Sequence, residues 1–152
     1  MKKAAAIAAL ALAATATALP ALAQQMKPED QIHLRQSTMA LIGYNFGTLA
    51  AMAQEKRPYD KAEAERAAAI LPPLAALPGR FFGEGTDEGG HTKAKPEIWK
   101  NMDDFKKKLE HMRHEVAMLP QAVASGDMGA FKKQVGETGK ACKSCHEDYK
   151  FK

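Results

Sequence analysis

The chain has 152 residues, of which 45% are hydrophobic, 26% charged and 7% aromatic, and its formal net charge is +4. This composition is typical of one folded domain, and it excludes a disordered chain and a disulfide-rich miniprotein. Basic and acidic residues are interspersed, and the longest basic run is residues 106–108, so we expect no nucleic-acid partner.

The first 23 residues have the features of a secretory signal peptide. Lys2 and Lys3 precede an apolar run from Ala4 to Leu19, and residues 21–23 supply the small side chains of a cleavage site. The run is too short to span a membrane, so we expect no membrane span. Residues 24–152 are predicted to be the mature domain, exported to the periplasm.

The first predicted helix begins at Pro28 and runs to about Gln54. Proline is favoured in a first turn because its missing N–H costs nothing there, and Glu29 and Asp30 complement the positive end of the helix dipole. Apolar residues recur at three- and four-residue steps and form one stripe. The stripe contains Ile32, Met39, Ile42, Phe46 and Leu49.

A second helix is predicted from Ala62 to Leu71, with Asp60 as its capping residue. Pro72 and Pro73 follow, so this helix should stop near Leu71 or kink, because an interior proline removes a hydrogen bond and clashes with the preceding turn. From residue 78 to residue 95 five glycines and no apolar periodicity indicate a long loop. Loops of this length are often functional.

Pro96 opens the third predicted helix, whose apolar residues alternate four- and three-residue steps as in an antiparallel bundle. This seam consists of Ile98, Met102, Phe105, Leu109, Met112, Val116, Leu119 and Val123. Pro120 should bend or fray its last turn. A fourth helix follows residues 125–127 and extends to Tyr149. The sequence therefore predicts an all-α, antiparallel up-down-up-down four-helix bundle.

Residues 142–146 form the motif C-x-x-C-H, which indicates covalent attachment of haem c. Residues three apart on a helix share a face, so two thiols can reach the two vinyl groups of one porphyrin. The adjacent histidine can then bind the iron. We therefore predict one haem c near the C-terminus of the last helix, attached to Cys142 and Cys145, with His146 as the axial iron ligand.

Other kinds of cysteine site fit the sequence less well. A thioredoxin-like redox pair would lie beside a β-α-β pattern, which the sequence lacks. A disulfide between residues three apart closes a very short loop and adds little stability, and a zinc site needs more ligands than two cysteines. In bacteria, haem c is attached outside the cytoplasm, which agrees with the signal peptide.

The sixth iron ligand is the open question at this site. Met39 lies on the apolar stripe of the first helix, one turn after Arg35, so this helix could place Met39 over the distal haem face and Arg35 at a propionate. The other histidines are predicted to face solvent: His33, His91, His111 and His114.

Three segments share a further pattern: residues 139–150 around the haem motif, residues 27–36 ending in Arg35-Gln36, and residues 95–99, which read Lys-Pro-Glu-Ile-Trp. Together they resemble the cytochrome c′ family of class II c-type cytochromes, over essentially all of the mature chain. The resemblance implies an up-down-up-down bundle, a homodimer packed through its first two helices, and a five-coordinate, high-spin haem held by His146.

The resemblance also implies roles outside the motif. Arg35 and Gln36 would contact the haem propionates, and Lys93 would lie at the haem edge. Phe82 would line the distal pocket, and Lys150 would approach the proximal histidine.

Two functions fit such a site. If Met39 only covers the distal face, the iron binds small gases such as NO and CO and exchanges single electrons with an unidentified redox partner. If Met39 is the sixth ligand, as in low-spin members of the class, the protein is a dedicated electron carrier. An enzyme is not expected, because the sequence shows no distal His/Arg pair for acid-base chemistry.

Overall fold

The computed structural model describes residues 26–152, so the predicted signal peptide, residues 1–23, lies outside the described residues. The described residues contain five α-helices. They are α1 (Pro28–Ala53), α2 (Lys61–Ala75), α3 (Glu97–Lys100), α4 (Met102–Ala124) and α5 (Met128–Tyr149). A 3₁₀ turn, Pro78–Phe81, follows α2.

The four long helices pack as a square, in which α1 and α4 each contact both α2 and α5. This is the predicted all-α up-down-up-down four-helix bundle. Its centre consists of fully buried apolar side chains, among them Leu49, Leu71, Leu119 and Phe131. Between residues 26 and 152 there is no β-strand, only an isolated bridge at Ala94 and Lys150. In the same residues, no helix is both long and apolar enough to cross a membrane.

Two aspartates cap the helices that the sequence analysis placed after them. Asp60 accepts a hydrogen bond from the backbone N–H of Glu63 at 2.8 Å, which satisfies a free donor at the start of α2. Asp127 accepts from the N–H groups of Gly129 at 2.7 Å and Ala130 at 3.1 Å at the start of α5. These caps explain why both helices begin where they were predicted to begin.

Proline ends neither of the two helices that contain it, so the predicted stop near Leu71 and the predicted fraying after Pro120 were wrong, while a kink at either site stays a prediction. α2 continues through Pro72 and Pro73 to Ala75 instead of stopping near Leu71, and α4 stays helical through Pro120 to Ala124. A helical proline costs about 3 kcal/mol. Buried apolar side chains next to each proline site offset part of this cost, since burial of a leucine or valine contributes about 1.5–3 kcal/mol. These side chains are Leu71, Ala75, Leu119 and Val123.

The third predicted helix is interrupted, since Asn101, with φ −128° and ψ 44°, separates α3 from α4. The short helix α3 is held by its own contacts. Ile98 is 1% exposed, and the indole N–H of Trp99 donates to the carbonyl oxygen of Gly83 at 3.1 Å. The interruption therefore lets α3 anchor the long loop while α4 follows the bundle axis.

The loop between α2 and α3 lies against the N-terminal half of α1. A Cβ atom at Gly90, where φ is +52°, would lie 2.9 Å from Cγ2 of Ile32, so this close approach requires glycine. Gly83 also donates its N–H to the side-chain oxygen of Gln31 at 3.3 Å. The loop thereby covers the part of α1 that carries Arg35 and Met39.

Candidate functional site

A cavity of about 440 Å³ lies between α1, α4, α5 and the long loop, and we call it the main cavity. Its volume is within the range of small-molecule and cofactor sites. The structure brings all the predicted site residues together around it: Arg35, Gln36, Met39, Phe82, Lys93, Cys142, Cys145, His146 and Lys150.

The apolar wall of the main cavity was not recognised as such from the sequence. The sequence analysis assigned its residues to the stripes and seams of the bundle, because apolar periodicity is the same for a helix that faces a core and a helix that faces a cavity. These wall residues are Ile42, Phe46, Ile98, Phe105, Leu109, Met112 and Tyr149.

The two cysteines lie on the last turns of α5, half-buried and without a disulfide between them. Burial raises the pKa of Cys145 to about 11 and also raises that of Cys142. Both thiols are therefore protonated at neutral pH, whereas redox-active and metal-binding cysteines are thiolates. Within residues 26–152, no group of three or more His, Cys, Asp and Glu residues is arranged to hold a metal ion.

The imidazole of His146 faces the main cavity one helical turn after Cys142. Its pKa lies below the ordinary value because burial disfavours the charged form, with a smaller effect from the positive charge of Lys150. At neutral pH the ring is therefore uncharged, which is the form that binds a metal.

Side chains of α4 fix this end of α5. The ammonium of Lys108 donates to Oγ of Ser144 and pairs with Oδ2 of Asp148, both at 3.0 Å. The buried phenol of Tyr149 donates to Oδ2 of Asp104 at 2.6 Å. Burial and this hydrogen bond raise the pKa of Tyr149 to about 12. The sequence analysis missed these contacts, since the residues lie far apart in the chain.

The long loop is joined to the end of α5 at the mouth of the main cavity. The N–H of Lys95 donates to the carbonyl oxygen of Tyr149 at 3.0 Å, and the N–H of Phe151 donates to that of Lys93 at 2.9 Å. These backbone bonds place Lys93 and Lys150, both exposed, on the rim.

Arg35 is buried, with 5% of its surface exposed, and it holds the loop from within. Its guanidinium donates to the carbonyl oxygen of Phe81 at 3.1 Å, to that of Thr86 at 2.9 Å and to Oγ1 of Thr92 at 2.7 Å. The guanidinium also stacks over Phe82, with its Cζ atom 4.5 Å from the ring centroid. Burial lowers the pKa of Arg35, but a guanidinium stays protonated in proteins. The site therefore contains a buried cation with neutral hydrogen-bond acceptors.

The remaining polar residues of the site are exposed. The amide of Gln36 donates to the carbonyl oxygen of Gly90 at 3.1 Å, a second contact between α1 and the loop. The four histidines outside the motif are exposed, as predicted: His33, His91, His111 and His114.

The chain is similar to known proteins in both sequence and fold. The sequence model of the family described as cytochrome C′ matches residues 30–150. Cytochrome c′ of Rubrivivax gelatinosus is 43% identical over 129 residues, which cover 85% of this chain and all of the relative. Cytochrome c-554 of Cereibacter sphaeroides is 38% identical over 150 residues, covering 96% of this chain and 97% of the relative.

A solved structure shares the fold. The nitric oxide complex of a variant of cytochrome c prime from Alcaligenes xylosoxidans superimposes with a TM-score of 0.75 at 35% identity, covering 83% of this chain and 97% of the other. The chain belongs to the cytochrome c′ family. The cofactor of this family is covalently bound haem c, and the two cysteines that it requires are present near the C-terminus.

The main cavity of this cytochrome c′ family member fits a haem. Its walls are apolar, as the macrocycle requires, and its charged lining residues are the cations Arg35, Lys93 and Lys150, with no Asp or Glu among them. Of the ion pairs formed within residues 26–152, none includes Arg35. Two propionate carboxylates at this mouth would supply the anions that the lining lacks.

Arg35→Met should destabilise the haem-loaded protein by about 2–4 kcal/mol, because it leaves buried acceptors of the loop without donors. Urea denaturation measures this change in the free energy of unfolding. Gln36→Ala is the matched control: it also removes loop contacts, but from an exposed side chain, and should cost less than about 1 kcal/mol. Equal losses in the two variants would contradict the role of Arg35.

Proposed function

We propose that this protein is a periplasmic cytochrome that binds NO and CO at a five-coordinate, high-spin haem and also passes single electrons. The observation that carries the proposal is the lining of the main cavity. Within residues 26–152 the lining contains one histidine, His146 on α5, while α1 on the other side contributes Met39 with small and apolar residues, beyond Arg35 and Gln36. One wall thus supplies a nitrogen ligand and the other a largely apolar surface.

The bound haem supplies an iron that takes up a gas or an electron. Cys142 and Cys145 would hold the macrocycle by thioether bonds, and the neutral imidazole of His146 would bind the iron. The contacts of α4 with Ser144, Asp148 and Tyr149 hold the part of α5 that carries this histidine. Lys150 at the rim favours its uncharged form.

Three further side chains would hold the propionate edge. Arg35 is buried beside the cavity without an ion-pair partner, and Gln36 lies next to it at the rim. Lys93 is placed at the mouth by its backbone bond to Phe151. A propionate near Arg35 would form a charge-assisted hydrogen bond, which is stronger than a neutral one.

The distal wall favours uncharged ligands. Phe82 packs edge-on against Phe105, with ring centroids 4.6 Å apart, and α1 contributes Met39, Ala40 and Gly43. A diatomic gas loses little hydration on entering such a surface, whereas an anion loses a great deal. The nitric oxide complex of the relative from Alcaligenes xylosoxidans supports gas binding in this fold.

A second candidate function is supported by the position of Met39. Because Met39 lines the same cavity as His146, its thioether would be a sixth ligand of the iron in this alternative. This chain is also 38% identical to a relative named cytochrome c-554. In this alternative the iron is closed to gases, and the protein carries electrons only.

We also propose that the role is binding and electron transfer, without turnover of a substrate. Among the described residues, 26–152, the cavity lining has no second histidine to act as a distal acid or base. The electron-transfer partner would meet the haem edge at the cationic rim.

The proposed dimer would form through α1 and α2, with a second copy of this chain as the partner. Leu34, Leu41 and Tyr44 are 38%, 51% and 76% exposed and lie on one face of α1, and Ile70 on α2 is 46% exposed. Apolar side chains on neighbouring helices form the kind of surface that a two-fold dimer covers.

Expression of the full chain in a bacterium tests haem attachment and export together. The protein recovered from the periplasm should have the mass of residues 24–152 plus one haem, as measured by intact mass spectrometry. The double variant Cys142→Ala, Cys145→Ala should lack the haem mass, while Ser144→Ala between them should keep it. A full-length chain in the periplasm would contradict cleavage after residue 23.

The visible spectrum of the ferrous protein tests the coordination of the iron. We expect a broad high-spin Soret band that shifts when CO is added, and the same behaviour in Met39→Ala. Met112→Leu, which changes the other methionine of the cavity, is the control. Sharp low-spin bands that do not change when CO is added would contradict this expectation. If such bands become sensitive to CO in Met39→Ala but not in the control, the protein is the methionine-ligated electron carrier instead.

The substitution Leu41→Lys tests the dimer. Losing the burial of one leucine costs about 1.5–3 kcal/mol. The dissociation constant of the dimer, measured by analytical ultracentrifugation, should therefore rise by about tenfold or more. Met118→Lys changes an apolar side chain on α4 that is 40% exposed and should leave the dimer intact. The interface lies elsewhere if both variants remain dimeric at the same concentration.

A further inference from the structure

Phe46 on α1 lines two cavities. Besides the main cavity, a cavity of about 350 Å³ lies at the surface between α1 and α5, and we call it the seam cavity. Phe46 is the residue that the two linings share. The seam cavity has an apolar or glycine floor, formed by Phe46, Ala50, Ala53, Val135, Gly136 and Gly139.

Phe46 lies on the same face of α1 as Met39. The two residues are seven positions apart, which is two helical turns and about 10 Å along the axis. The α1 wall of the main cavity runs from Arg35 to Phe46, and α1 lines the seam cavity from the half-buried Phe46 onward.

On the α5 side, two glycines, Gly136 and Gly139, line the gap between α1 and α5. A Cβ atom at Gly139 would lie 3.6 Å from Cζ of Phe46, so the ring already rests against the helix backbone there. A Cβ atom at Gly136 would meet no other atom within 4 Å. Between α1 and α5 the Phe46 ring thus packs against helix backbone, because Gly136 and Gly139 have no side chains to interlock with it.

The charges at the rim of the seam cavity indicate an uncharged occupant. Its cations are Lys132, Lys140 and Lys143, and each has a carboxylate partner. These partners are Glu55 at 2.5 Å, Glu137 at 2.9 Å and Glu147 at 3.5 Å, respectively. Because each lysine has a carboxylate nearby, the rim has little net charge, while the apolar floor suits a small uncharged molecule.

We propose that diatomic gases reach the main cavity through the seam cavity, and that the Phe46 side chain separates the two and sets the rate of passage. The inference rests on the gas binding proposed above and adds the route. An uncharged diatomic gas loses little hydration at the apolar floor of the seam cavity. Residues of the seam that lie outside the main cavity should change how fast a gas arrives and leaves, and leave its affinity unchanged.

Gly136→Leu tests the route, because it fills the seam cavity without touching the main cavity. We expect CO association with the ferrous protein, measured by flash photolysis, and CO dissociation both to slow about fivefold or more, with an unchanged dissociation constant. Phe46→Ala should speed both rates. Lys133→Leu is the matched control, since it places the same side chain on the exposed side of α5, and it should leave both rates unchanged.

The outcomes separate this inference from the proposed function. A wild-type protein that binds no CO overturns gas binding and, with it, the route. Normal CO binding with unchanged rates in Gly136→Leu overturns the route alone. If Lys93→Leu, at the mouth of the main cavity, slows the association of CO and Gly136→Leu does not, the gas enters at the haem edge instead.

Xenon provides a readout that does not depend on the iron. Methyl signals of Ala50, Ala53 and Val135 should shift in NMR spectra recorded under xenon pressure, and these shifts should be lost in Gly136→Leu. Absence of any shift in the wild-type protein would show that the seam cavity does not take up an apolar gas.

Discussion

The guanidinium of Arg35 is buried where α1 meets the long loop, and its hydrogen-bond partners there are neutral oxygen atoms of Phe81, Thr86 and Thr92. Burying a cation is costly unless hydrogen bonds and an opposite charge compensate it. The loop supplies the hydrogen bonds, and a haem propionate would supply the charge. One residue therefore couples the position of the loop to the shape of the cavity mouth.

The opposite side of the cavity depends on α5, whose last turns are held by α4 and by the loop. Lys108 and Tyr149 tie this segment to α4, and the backbone of residues 93–95 pairs with that of residues 149–151. As a result, a neutral imidazole and two cysteines face an apolar wall, and positive charge collects at the rim. This separation of apolar interior and cationic rim suits a macrocycle with propionates at one edge, and an uncharged gas as its ligand.

Several features were invisible to sequence analysis for physical reasons. Pro72 and Pro120 lie inside helices because burial of neighbouring side chains offsets the local cost of proline, and no local pattern contains that energy. The bond from Lys108 to Ser144 joins residues 36 positions apart. Phe105 and Leu109 follow the same periodicity whether they face a core or a cavity, so the sequence predicted that they are buried but not what they face.

The sequence by itself determined the covalent chemistry and the class of fold. Attachment of haem c requires two thiols and a histidine at a set spacing, and local rules place helices after Pro28, Asp60 and Asp127. Only the tertiary structure decided that Arg35 is buried against the loop and that Phe46 lines two cavities. Those properties arise from contacts between distant segments, whose energies depend on how the helices pack and not on the order of residues within any one of them.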